Sequence, residues 1–271
     1  MTEFNQGASR LQEAFSRGKA FIPFITCGDP DLETTKACIR ELAAAGAGVI
    51  ELGVPFSDPT AEGPVIQAAG ERALKAGVTP RAVLDMARDL REEGIQVPFV
   101  IMTYANVPFA FGADAFMEAC EQCGIDGLIL PDVPFEEKEE FQSVCDAHGV
   151  ALISLVAPTS RERIAMIARE AAGFIYLVSS LGVTGTRTEI RTDLDAIVAQ
   201  IREQTDVPVA IGFGVSSPQQ ARQMAQSADG VIVGSAIVKL VGRHGMEAPT
   251  VVGSFVHDMV QAVQDSQAKA D

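Results

Sequence analysis

Eight short apolar, β-rich runs alternate with amphipathic helical stretches along the 271 residues, and this alternation predicts a (β/α)8 barrel. The runs lie at 20–26, 49–52, 99–102, 128–130, 151–156, 174–178, 209–213 and 231–233. They are continuous hydrophobic segments, as parallel strands buried on both faces require. A doubly wound open sheet is the structural rival. It calls for a Gly-rich turn after the first strand, and Thr26-Cys27-Gly28-Asp29-Pro30 lacks that fingerprint. No linker, low-complexity tract or clear internal repeat divides the chain, so residues 1–271 read as one TIM-barrel domain.

Helices are expected at 32–45, 80–93, 113–123, 136–147, 161–171, 194–204 and 218–226. Three further helices extend the plain barrel. One at 7–17 precedes the first strand and is placed to plug the bottom. Another, at 64–76, follows the long connection 53–62 after the second strand. The third opens at Gly234-Ser235-Ala236 after the eighth strand and ends near Lys239. A second long connection, 179–192, is rich in Gly, Ser and Thr. Both long connections follow strands, which puts them on the C-terminal face where barrels place chemistry, as lids or binding loops.

Composition narrows the function. Lys and Arg number 21 against 36 Asp and Glu, a formal charge of −15, which argues against nucleic-acid binding and against a polybasic membrane anchor. No stretch reaches the ~18 apolar residues of a membrane span, and the N-terminus lacks the pattern of a signal peptide. Five cysteines, an odd number in a chain of this size, do not read as a disulfide framework. The expected location is the cytoplasm.

Strand alternation puts Val49, Glu51 and Gly53 on one face and Ile50 and Leu52 on the other. The face with the small glycine and the carboxylate suits the lumen near the strand's C-terminal end, where desolvation raises a carboxyl pKa and makes it a proton donor and acceptor near neutrality. A structural carboxylate held by hydroxyls or amides fits the same pattern. Glu62 and Asp58, in the following loop, offer a second carboxylate in a different environment. They also suit a plain Asp-Pro turn and a helix start. In Gly212-Phe213-Gly214 a strand ends in glycines, and Ser217, Pro218 and Gln220 form a helix-start pattern. Together with Gly234-Ser235 after the last strand, this matches the phosphate site that barrels build from their last two loops, and ordinary turns remain the alternative.

Other mechanisms find no support. His148, His244 and His257 all fall in helical or helix-terminal stretches, so a His-ligated catalytic zinc is not expected. None of the six lysines lies in a strand, as a Schiff-base lysine would. Cys120 and Cys123 have metal-site spacing without a second pair and read as helix core residues. No metal site is expected.

The segment Ile50-Glu51-Leu52-Gly53-Val54-Pro55-Phe56-Ser57-Asp58-Pro59, followed by Ala61-Glu62-Gly63-Pro64, resembles the signature of the tryptophan synthase alpha chain family. Further matches run in family order: Pro23-Phe24-Ile25-Thr26, Tyr104-Ala105-Asn106, Asp132-Val133-Pro134, Gly182-Val183-Thr184-Gly185, Gly212-Phe213-Gly214 and the stretch from Gly234-Ser235 to Lys239. The resemblance implies a lyase that cleaves indole-3-glycerol phosphate to indole and glyceraldehyde 3-phosphate, a retro-aldol reaction without cofactor. It implies that Glu51 does the acid–base work and that Glu62 accepts from the indole N–H. By the same likeness Gly185, Gly214, Gly234 and Ser235 hold the phosphate, and Thr184 helps its loop close. Phe24 and Tyr176 line the pocket, with Met102 and Ile129 beside them. A tryptophan synthase beta chain is the implied partner in an α2β2 assembly and carries the pyridoxal phosphate; Asp58, Asp132 and Pro134 face it.

The chain departs from the family pattern in places. Glu62 stands where relatives have Asp, Thr60 where they have an apolar residue, and Ser180-Leu181 where they have Arg-Ser. Three competitors stay open at this point. They are another sugar-phosphate isomerase or aldolase, a stand-alone indole-3-glycerol-phosphate lyase, and a non-catalytic phosphate-binding barrel subunit.

Overall fold

The computed structural model describes residues 6–178, 194–212 and 214–266. Nine strands run parallel: β1 Ala20–Thr26, β2 Ile50–Gly53, β3 Phe99–Met102, β4 Gly127–Ile129, β5 Ala151–Leu152, β6 Ser154–Val156, β7 Ile175–Val178, β8 Val209–Gly212 and β9 Gly230–Val233. Their order is β5-β4-β3-β2-β1-β9-β8-β7-β6. The two outermost strands, β5 and β6, are consecutive pieces of the run predicted at 151–156. β5 pairs with β4 and β6 with β7, while the Ile153 N–H between them donates to the Leu128 carbonyl at 2.9 Å. The run leaves one neighbour as it joins the next, and so closes the predicted (β/α)8 barrel.

Alternation sorts the side chains as expected. Ala20, Ile22, Val49, Val100, Ile129, Ala151, Ile153, Phe174, Ala210 and Ile232 fill the lumen. Ile50 and Leu52 belong to the larger apolar layer between sheet and helices. The N-terminal helix Gln6–Ser16 inserts Leu11 and Phe15 into the lumen cluster. Its Gly7 N–H donates to the Gly149 carbonyl at 2.8 Å, and its Arg10 pairs with Asp126 at 3.0 Å. A Cβ on Gly7 would lie 2.1 Å from the Asp126 carbonyl oxygen, so only glycine lets this helix seat so deeply.

Helices start where side chains supply acceptors for otherwise orphaned N–H groups. Asp31, Thr79, Ser160 and Ser217 each accept from the backbone three residues on. Gln220 reaches back to the Ser216 N–H at 2.9 Å, one residue before the cap.

The structure corrects two expectations. Helix Asn106–Phe111 follows β3 where none was predicted, and it contains Pro108 near its start, a position that tolerates the missing N–H. The helix after β9 runs Ser235–His244, past Lys239. The last helix, Ala248–Gln264, carries His257, already expected in a helical or helix-terminal stretch, and buries Val252, Val256, Met259, Val260 and Val263 at helical spacing. Among the described residues, no helix is long and apolar enough to cross a membrane.

Candidate active site

Glu51 sits on β2 and is 2% exposed. Burial pushes its carboxyl up to about 8. Across the ladder its register partner is Phe24 on β1, whose ring lies over the end of β2. A Cβ on Gly53 would come within 2.4 Å of that ring, so only glycine leaves it room. The opposite wall repeats the device, because a Cβ on Gly212 would meet the Tyr176 hydroxyl at 2.6 Å. Burial raises the Tyr176 phenol well above its usual range, and the nearby charge of Glu51 adds to the rise. Met102, Leu155 and Tyr176 pack on the upper rim of the lumen cluster, which includes Ile129. Phe24 joins Ile66, Ala69 and Val238 above them.

Glu62 comes from the loop between β2 and helix Pro64–Lys75. Burial lifts its carboxyl to about 7, and a hydrogen bond with Tyr104 partly opposes the rise. Tyr104 was quoted in the sequence as part of a motif but given no task. Its signal was present in the alternation, since Val100, Met102 and Tyr104 are spaced to share the lumen face. The Tyr104 hydroxyl accepts from the Ala61 N–H at 3.1 Å. Its ring stacks on Phe56 with centroids 5.1 Å apart. The loop that carries Glu62 is therefore tied to the end of β3.

The remaining predicted residues divide by place. Gly214 (φ 80°) and Gly234 with Ser235 follow the adjacent strands β8 and β9, and Ser235 begins helix Ser235–His244. At such a terminus unpaired N–H groups and the helix dipole favour an anion. Asp58 is exposed and bonded by the Ser57 hydroxyl at 2.5 Å. Asp132 accepts from the Ala105 N–H with both oxygens, at 3.0 and 3.2 Å. Pro134 lies exposed at the start of the turn Phe135–Glu137. Thr184 and Gly185 fall outside the described residues. Cys120 and Cys123 are free and buried in the core. Among the described residues, no group of three or more His, Cys, Asp or Glu is placed to hold a metal ion.

Known proteins resemble this chain over most of its length. The family model described as tryptophan synthase alpha chain matches residues 11–267. The chain belongs to the tryptophan synthase alpha chain family. It is 47% identical over 255 residues to the tryptophan synthase alpha chain of Lacticaseibacillus casei, covering 94% of this chain and 96% of the relative. It is 49% identical over 247 residues to that of Geobacter sulfurreducens, covering 90% and 93%. Among solved structures, the alpha chain from Legionella pneumophila superposes with a TM-score of 0.84 at 36% identity, covering 94% of this chain and 97% of that one. A chain of Mycobacterium tuberculosis tryptophan synthase gives 0.85 at 34% identity, covering 94% and 98%.

Proposed function

We propose that Glu51 and Glu62 together carry the carbon–carbon bond cleavage of this family. As a tryptophan synthase alpha chain, the protein is a lyase that cleaves indole-3-glycerol phosphate to indole and glyceraldehyde 3-phosphate in tryptophan biosynthesis. The observation that supports the assignment is that burial raises two carboxyls on consecutive segments, Glu51 on β2 to about 8 and Glu62 in the loop that follows to about 7.

At neutral pH Glu51 is mostly protonated and delivers its proton to indole C3. Glu62, ionised above about 7, accepts from the indole N–H and stabilises the positive charge that develops on the protonated ring. The Glu51 carboxylate then takes the proton of the hydroxyl beside the breaking bond. As that bond breaks, its electrons return to the ring and the hydroxyl carbon becomes the aldehyde. Glu51 ends protonated, ready for another turnover. Proton transfers balance every step, so the reaction needs no cofactor.

Phe24, Met102, Ile129 and Tyr176 line the ring pocket and keep water from the carboxyls, which strengthens each electrostatic contact. Gly214, Gly234 and Ser235, with Gly185, hold the phosphate on backbone amides and a hydroxyl, which the chain's net charge of −15 does not prevent. Thr184 helps its loop close over the substrate. The protein acts in the cytoplasm with a beta chain in an α2β2 assembly, presenting Asp58, Asp132 and Pro134 to it; the pyridoxal phosphate belongs to that partner. The test is indole release from indole-3-glycerol phosphate by the purified chain, with and without a tryptophan synthase beta chain. Release that rises with the partner supports both parts of the reading. Strong release unaffected by the partner points to a stand-alone lyase, and none in either case overturns the reading.

A further inference from the structure

We propose that Asp132 is a positioning residue for Glu62, acting through the backbone of Ala105 and the side chain of Tyr104. The inference rests on the catalytic role given to Glu62 above and extends it to a residue assigned there only to the partner face. The chain of contacts is continuous. Both oxygens of Asp132 receive the Ala105 N–H, at 3.0 and 3.2 Å. On the other side of Tyr104, the Thr103 N–H donates to the Ile129 carbonyl at 3.1 Å. The backbone of Tyr104 is thus fixed on one flank by β4 and on the other by the loop that follows β4. From that footing the Tyr104 hydroxyl holds the Ala61 N–H at 3.1 Å and bonds the Glu62 carboxyl.

Asp132 itself is exposed, so its carboxylate is not needed to fill the core. Its place in the barrel explains why it is acidic. Aligned on the shared Asp-Gly and on the strand register, 126–132 and 229–235 set Asp132 where the later segment has Ser235. The strand before each segment matches likewise, so Tyr104 stands where the later one has Gly214. On the reading above, Gly214 and Ser235 receive the substrate phosphate. At the equivalent position among β3 and β4, the chain supplies the anion from its own side chain. The loop that carries Tyr104 is thereby tied by the chain's own carboxylate.

The experiment measures indole-3-glycerol phosphate cleavage by the isolated chain as a function of pH, so partner contacts do not enter. Wild type is compared with Asp132→Ala, Asp132→Asn, Tyr104→Phe and the double variant Asp132→Ala/Tyr104→Phe. Displacing a catalytic group through its support costs on the order of tenfold in rate, so Asp132→Ala should lower kcat by ~10-fold with a smaller change in KM. Its acidic limb should move to higher pH, because the Tyr104 hydrogen bond that holds the Glu62 pKa down is loosened. Asp132→Asn keeps one acceptor oxygen and should recover most of the rate. Tyr104→Phe should shift the same limb, and the double variant should shift it no further than Tyr104→Phe alone. An acidic limb unmoved in Asp132→Ala, or additive shifts in the double variant, would overturn the proposal. A wild-type chain that releases no indole would instead overturn the catalytic reading on which it rests.

Discussion

At the foot of the barrel, Asp126 and Asp229 make the same pair of backbone contacts in two different halves. The Asp126 N–H donates to the Phe99 carbonyl at 2.8 Å while its carboxylate accepts from the Phe99 N–H at 2.9 Å. Asp229 does both with Val209, at the same distances. Each acceptor strand follows a Val-Pro pair, and each aspartate meets an arginine from the helix before that pair: Arg91 at 3.0 Å and Arg202 at 2.9 Å. The halves part at the strand tops. β2 and β7 present Glu51 and Tyr176 at matching positions, and the loops beyond offer Tyr104 and Asp132 in one half against Gly214 and Ser235 in the other. The shared foot ties each aspartate to the start of the neighbouring strand, and the two halves diverge at the tops. On the proposed reading, one half supplies the carboxyls and the other the backbone amides.

Even the shared foot differs in depth. Arg91 is 14% exposed, lies 3.9 Å above the Phe99 ring, and donates to the carbonyls of Ile95, Val97 and Gly124. Asp126 also receives Arg10 from the plug helix. Arg202 is 53% exposed and pairs with Asp229. The same local motif has been built into a buried network on one side and left near solvent on the other.

The largest expected effect lies at the tops. Glu51→Gln keeps the shape but removes the proton donor, and should reduce cleavage by ~10²–10⁴-fold with folding and substrate affinity nearly intact. Turnover above ~10% of wild type would mean that the matching tops are not divided as described. The foot comes next. Arg91→Met strips the buried Asp126 of its inner cation and should cost about 3–5 kcal/mol in urea unfolding. Arg202→Met, at the equivalent but exposed position, should cost below about 1 kcal/mol. Equal losses would erase the distinction between the two feet. The smallest change is Glu62→Asp, which restores the carboxylate usual at this position in relatives and should retain or raise activity. A collapse in steady-state rate would show that the loop around Tyr104 has adapted to the longer side chain.

Much of this was legible in the sequence. The strands stood out because burial on both faces makes each an unbroken apolar run, and Glu51 stood out because it interrupts one. The division of the fifth run did not show, because leaving one neighbour and joining the next changes hydrogen bonds rather than side chains. Helix Asn106–Phe111 was hidden by Pro108 and the Gly112 that follows it. The place of Tyr104 on the lumen face was legible, but its contact with Ala61 and Glu62 was not, because that chain segment meets it only in the fold. The likeness of the halves was also invisible as a repeat. It rests on a few positions, Val-Pro before one strand and Asp-Gly before the next, whose equivalence appears only in the register. Thr184 and Gly185, taken from the family pattern, lie outside the described residues.

The central claim is that two carboxyls raised by burial, Glu51 and Glu62, share one reaction, and the pH dependence of kcat/KM for indole-3-glycerol phosphate tests it most directly. On the proposed mechanism, cleavage requires Glu62 ionised and Glu51 protonated. The rate should therefore rise as pH passes about 7 and fall as it passes about 8. A profile that stays flat from about pH 6 to 9 would contradict the assignment of both residues.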